Sequence, residues 1–163
     1  MNKKTLNTSS ACTVVLAIFL LSASASFAQH RAVNLTQGTK RAPYSDGIVA
    51  GNTLYVAGLQ GTDSSGKFPP GGFGPQTRAV LENIQRVVKA AGFQMKDVVS
   101  VNVYLMSIHN FATMNSIYEN FFPDPKPSRT TVQVAALSNG ASIEISAIAV
   151  RPSLTHDSRH TAP

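Results

Sequence analysis

The chain has 163 residues, 43% of them hydrophobic and 13% charged, with a formal net charge of +6 and one cysteine. That length suits a single domain with a substantial core, and the lone Cys12 excludes an internal disulfide framework and a cysteine-built metal site. The basic residues are scattered apart from Lys3-Lys4 and Lys40-Arg41, so there is no clustered footprint for nucleic acid and a basic soluble surface is the simpler reading.

The first segment has the order of a secretory signal peptide. A basic start, Asn2-Lys3-Lys4, precedes an apolar run from Thr13 to Leu21 and a small-residue stretch ending Ser26-Phe27-Ala28. The apolar run is shorter than the roughly 20 residues a membrane span needs, and cleavage is expected after Ala28. Residues 29–41 are polar and aperiodic, which predicts an N-terminal arm. Asp46–Ala50 and Thr53–Leu59 predict two strands around the turn residues Gly51-Asn52. Gln60–Gly74 is rich in Gly, Pro and Ser and predicts a loop able to cover a site.

Pro75 is expected to open a helix whose apolar face is Val80, Ile84, Val87, Val88 and Ala91, ended by Gly92. Val98–Met106 alternates and predicts a strand, with Ser100 and Asn102 on its wetter face. Ser107 is a possible cap for a second helix carrying Phe111, Met114, Tyr118 and Phe121 or Phe122 toward the core, stopped by Pro123-Asp124-Pro125. Two strands follow, Pro127–Val134 and Ser142–Val150, joined at Ser138-Asn139-Gly140. Residues 152–163 read as a disordered tail. The predicted order is β-β-α-β-α-β-β, an α+β fold with a mixed sheet and both helices on one face.

Two residues stand out because a buried strand should not carry them. Arg129 follows a proline at the mouth of its strand, and Glu144 lies between Ile143 and Ile145. An unpaired charge in an apolar strand is expensive, so two of them on strands expected to be neighbours suggest a polar pocket cut into the core. A guanidinium is permanently charged and matches a carboxylate bidentately. Arg129 is therefore either a substrate clamp or an edge-strand arginine paired to an acid. By alternation Glu144 shares a face with Ser142 and Ser146, so it either enters a roomy pocket or points to water. Tyr44, in a loop after Pro43, can supply a hydroxyl to a pocket, and Asn115 lies on the second helix, where a solvated position is the plainer reading. His30, His109, His156 and His160 lack metal-ligand spacing. No phosphate-binding or hydrolase motif occurs.

Several segments together resemble the RidA (YjgF) family. They are Ala42-Pro43-Tyr44-Ser45, Gln76-Thr77-Arg78 with Leu81-Glu82-Asn83-Ile84, Ala90-Ala91-Gly92, Phe111-Ala112-Thr113-Met114-Asn115, Pro127-Ser128-Arg129-Thr130-Thr131-Val132 and Ile143-Glu144-Ile145-Ser146-Ala147-Ile148-Ala149. The similarity runs over residues 42–151. It implies a chorismate-mutase-like α+β fold and a homotrimer with active sites between subunits. It also implies cofactor-free hydrolysis of 2-aminoacrylate-type enamines and imines to 2-keto acids and ammonia. The resemblance assigns Arg129 to the substrate carboxylate, Glu144 to the attacking water, Tyr44 and Asn115 to the pocket lining, and the backbone at Gly58 and Thr131 to holding the ligand. The chain departs from the family pattern at Ala57, where a serine is common, and at Asp46, Thr131 and Gln133. A signal peptide is unusual for this family and implies a periplasmic or secreted member. The alternatives are a trimeric small-carboxylate-binding protein or stress chaperone without catalysis, and an RNA-cleaving relative, which fits poorly with export and dispersed charge.

Overall fold

The structure, a computed structural model, describes residues 30–35 and 43–152. The expected signal peptide, and the tail beyond Pro152 with His156 and His160, lie outside the described residues. Six strands form one mixed sheet: β1 Arg31–Val33, β2 Gly47–Ala50, β3 Thr53–Gln60, β4 Val98–Leu105, β5 Ser128–Gln133 and β6 Ile143–Val150. Their spatial order is β1-β2-β3-β6-β4-β5, antiparallel throughout except for the parallel pair β4–β5. The mixed sheet with two helices follows the expected plan with one addition. Arg31–Val33, in the segment read as an arm, pairs with β2 and extends the sheet edge. The signal for that strand is only three residues long, and its ladder partner is supplied from elsewhere in the chain.

Helix α1 runs Phe73–Ala90 and α2 runs Phe111–Tyr118. The first starts two residues before Pro75, which suits a proline in an opening turn whose N–H groups lack intrahelical partners. It ends as its sequence predicts: Gly92 takes φ 85°, its N–H donates to the Lys89 carbonyl, and the Phe93 N–H donates to the Val88 carbonyl. This is a Schellman closure. Val80, Leu81, Ile84, Val87 and Val88 of α1 are buried against Leu54 and Val56 of β3, Val101, Val103 and Leu105 of β4, and Ile143 and Ile145 of β6. Met114 and Tyr118 of α2 close the same layer. Phe111 does not join it: 39% of its surface is exposed, and a short 3-10 turn, Ile108–Asn110, precedes the helix at Ser107.

Alternation fixes what each strand shows to the other face. Along β6, Ile143, Ile145, Ala147 and Ala149 are buried, while Glu144, Ser146, Ile148 and Val150 are half-exposed. No helix among the described residues covers that second face, where Tyr55 is 51% exposed. The expectation that β5 is a buried strand fails. It is the sheet edge, and all 6 of its residues are exposed or half-exposed. Its β-branched run Thr130-Thr131-Val132 suits a strand at any place in a sheet, and residue type alone does not distinguish an edge from two-sided burial.

Candidate active site

Arg129 and Glu144 do not share a pocket within one chain. Strand β4 lies between their strands, with Val101 opposite Arg129 and Tyr104 opposite Glu144. Two strand spacings of ~4.8 Å and three residues of ~3.3 Å put their Cα atoms about 14 Å apart. They also project to opposite faces. Arg129 is in register with buried Val101 on the helix side, and Glu144 with half-exposed Tyr104 on the open side. Sequence alternation gave Glu144 its face correctly. The expectation of neighbouring strands was wrong because β4, though earlier in sequence, inserts between the last two.

The Arg129 cluster sits where the β5 edge meets α2. The guanidinium lies over the Tyr118 ring at 4.6 Å and the Phe111 ring at 5.6 Å, and its Nη1 is 3.7 Å from Met114 Sδ. Among the described residues no carboxylate pairs with it. Thr131 lies two residues on and so on the same face, in register with Val103, and Asn115 follows Met114 on α2. Thr131 Oγ1, Asn115 Oδ1 and Tyr118 OH are all buried without a hydrogen-bond partner. An unmatched buried polar atom costs about 1–3 kcal/mol, so three around one guanidinium mark a place prepared for another polar group. Burial pushes the Tyr118 phenol up to about 12 despite the opposing charge of Arg129, which keeps it a neutral donor.

The Glu144 cluster lines a cavity of about 480 Å³, together with Tyr44, Asp46, Gly58, Gln60 and, from α1, Arg86. A β-bulge builds it. Strand β3 pairs Val56 with Ala147 but Leu59 with Ile145, so one extra residue lies between. The bulge flips the alternation: Leu59 turns into the core, and Gln60 comes opposite Glu144. Glu144 Oε1 then lies so close over Gly58 that a Cβ there would be 2.4 Å away. The missing side chain at Gly58 is what leaves room for the carboxylate in that position. Glu144 Oε2 accepts a hydrogen bond from Gln60 Nε2 at 3.2 Å. The Gly-rich loop after β3 contributes Thr62, Asp63, Ser64 and Gly66 to the rim, as a site-covering segment should. Asp63 organises it: the Lys67 N–H and the Ser65 N–H and hydroxyl donate to its carboxylate and hold it below the usual range.

The candidates therefore fall into two groups: Arg129, Asn115 and Thr131 on the helix side, and Glu144, Gly58 and the 62%-exposed Tyr44 on the other. Sequence reasoning missed Gln60, which it left in a loop, and Asn83, a buried α1 side chain that donates to the Gln60 and Thr62 carbonyls at 2.9 Å each. A signal for the first was present. Leu54 and Val56 set one phase, and Leu59 breaks it by one residue, as a bulge requires.

The chain matches the family model described as Endoribonuclease L-PSP over residues 36–151. A RutC family protein of Pyrococcus horikoshii is 44% identical over 110 residues, 67% of this chain and 87% of that protein. A human protein named 2-iminobutanoate/2-iminopropanoate deaminase is 40% identical over 114 residues, 69% of this chain and 83% of its own. Among solved structures, a putative endoribonuclease from Thermotoga maritima superposes with TM-score 0.70 at 38% identity, covering 75% of this chain and 98% of that one. RidA from the Antarctic bacterium Psychrobacter superposes at 0.65 with 35% identity, covering 76% and 98%.

Proposed function

The chain belongs to the RidA (YjgF) family, and we propose from that membership that it is an imine deaminase. It hydrolyses reactive 2-imino acids and their 2-aminoacrylate-type enamine tautomers to 2-keto acids and ammonia. The site forms between copies of the chain, in a homotrimer as the family resemblance implies. Relatives about 40% identical that carry the name 2-iminobutanoate/2-iminopropanoate deaminase support the reaction class.

The observation that carries the reading is the pair of incomplete polar clusters on opposite faces of one sheet. Among the described residues, Arg129 has no acid paired with it and Glu144 has no cation. A second copy that places its Arg129 cluster over the Glu144 cavity completes both. The face that carries Glu144 is also the one left uncovered, with Tyr55 and Tyr44 exposed on or beside it, so association buries apolar surface in the same step.

The chemistry needs little beyond placement. The Arg129 fork binds the substrate carboxylate with two charge-assisted bonds, and the neighbouring Asn115 and Thr131 oxygens accept from the substrate's N–H or from water. Glu144 Oε1 accepts a proton as water adds to the imine carbon. Glu144 returns that proton to the nitrogen, and the carbinolamine hydroxyl gives up its own proton to the amine by way of Glu144 as the C–N bond breaks, so the carbonyl forms and ammonia leaves. Orientation of this kind lowers a barrier by several kcal/mol, and general-base help adds roughly 10²- to 10⁴-fold. Ala57 stands where a serine is common in the family, so the pocket hydroxyl that the resemblance implies is missing. RNA cleavage is less well supported. Asp46, Asp63 and Glu144 face the cavity against a single arginine, Arg86, and a polyanion is repelled by that balance.

The deciding assay generates 2-imino acids with an amino-acid oxidase and times keto-acid release with and without the protein. Faster release that disappears with Arg129→Ala supports the proposal. Unchanged release, with saturable binding of 2-ketobutyrate, replaces it with a carboxylate-binding protein. The exported location rests on residues 1–28, and material recovered outside the cytoplasm should begin at Gln29.

A further inference from the structure

We propose that Gln60 is a positioning residue for Glu144, holding its carboxylate in the one orientation that aims Oε1 at the reacting water. The inference rests on the deaminase reading of Glu144 and adds a residue that the family motifs quoted above do not contain.

The Gln60 amide is a junction between three segments. Its Nε2 donates to Glu144 Oε2 at 3.2 Å, to Ser138 Oγ at 2.8 Å and to the Ser138 carbonyl at 3.3 Å. A carbonyl only accepts, so the nitrogen must be the atom that faces it, and the amide orientation is fixed by its surroundings. Ser138 opens the short turn that leads into β6, where Asn139 and Gly140 both take positive φ. The amide thus ties that turn to β3 and to the Glu144 side chain at once.

Gln60 is itself anchored from behind. The buried Asn83 side chain donates to the Gln60 carbonyl at 2.9 Å, and Arg86 donates to Asn83 Oδ1. The β3 bulge supplies the register that sets Gln60 directly across from Glu144. With Oε2 bonded to the amide and Oε1 over Gly58, where no side chain intervenes, the carboxylate has little rotational freedom. A glutamate on an open sheet face otherwise samples several rotamers, and a displacement of about 1 Å costs up to about 10²-fold in rate.

The test is a donor series: Gln60→Glu, Gln60→Leu and Gln60→Lys. Glu matches the size of Gln but cannot donate and sets two carboxylates face to face, Leu removes all polarity, and Lys keeps an N–H donor. The expected result is a fall in kcat of about tenfold or more for Glu and Leu, with KM within about twofold because the Arg129 clamp is untouched. Lys should recover part of the loss. A structural role follows size instead, so Gln60→Glu retaining kcat, or kcat and KM moving together in all three, overturns the proposal. Crystal structures of the Glu and Leu variants give a readout independent of turnover. Glu144 should leave its place over Gly58, and finding it unmoved overturns the proposal even if the wild-type protein proves to have no deaminase activity, an outcome that would instead sink the reading of the reaction.

Discussion

Complementation between two inactive variants tests the split site directly. Arg129→Ala removes the clamp from one face, and Glu144→Ala removes the base from the other. Their Cα atoms are about 14 Å apart by strand spacing and rise, and the side chains point away from each other, so neither can reach the other's substrate within one copy. On the proposed reading, each site draws Arg129 from one copy and Glu144 from its neighbour. In a closed ring of three, random one-to-one exchange makes a site intact when the copy giving the arginine is the Glu144→Ala chain and its neighbour is the Arg129→Ala chain. Each condition holds half the time, so about a quarter of sites recover. The assay mixes the variants under mild denaturant, dilutes them to permit reassociation, confirms mixed trimers by native mass spectrometry, and measures imine hydrolysis at constant total protein. Each variant alone, and the unexchanged mixture, should stay at background. Background activity in verified mixed trimers would refute the division of the site between copies.

Four further outcomes follow from the same geometry. Arg129→Ala should lose activity while its thermal midpoint falls by no more than about 10 °C, since the arginine faces two rings and a thioether rather than an acid, contacts together worth up to about 3 kcal/mol; differential scanning fluorimetry checks it, and loss of the folded state would indicate a structural ion pair. Arg129→Lys should be nearly as inactive, because an ammonium lacks the planar fork. Gly58→Ala should fold yet lose most activity, because the new Cβ would stand 2.4 Å from Glu144 Oε1 and drive the carboxylate out of place, an outcome that kcat and the circular dichroism spectrum decide together. The Tyr118 phenol, raised from 10.0 to about 12, is favoured neutral in the fold. Its contribution to stability is intact below pH 10 and is lost as pH rises toward 12. Tyr118→Phe should flatten that alkaline decline in chemical denaturation, and an unchanged slope would show that the phenol is not the cause.

The sequence by itself determined the core faces of β6 and α1, because the alternation and the helical spacing that set them are local. Period-2 alternation in Ile143–Val150 put Glu144 opposite the buried isoleucines, and the 3.6-residue spacing in α1 marked its core stripe through Val88, with Gly92 as its stop. Motif order carried the family and, with it, Arg129 and Glu144 as a pair. Only the tertiary structure decided how those two residues relate. Strand order is a nonlocal property: β4 enters the sheet between β5 and β6, so residues on consecutive strands in the chain end on different neighbours and on opposite faces. Alternation within a strand cannot predict the relative parity of two strands that never touch. The same holds for Gln60. Its phase shift was visible in Leu54, Val56 and Leu59, but its meaning depends on Glu144, 84 residues away, and on the Ser138 turn that shares its amide. Hydrogen bonds between distant segments arise only when the backbone has set their register, and that register is what the folded sheet supplies.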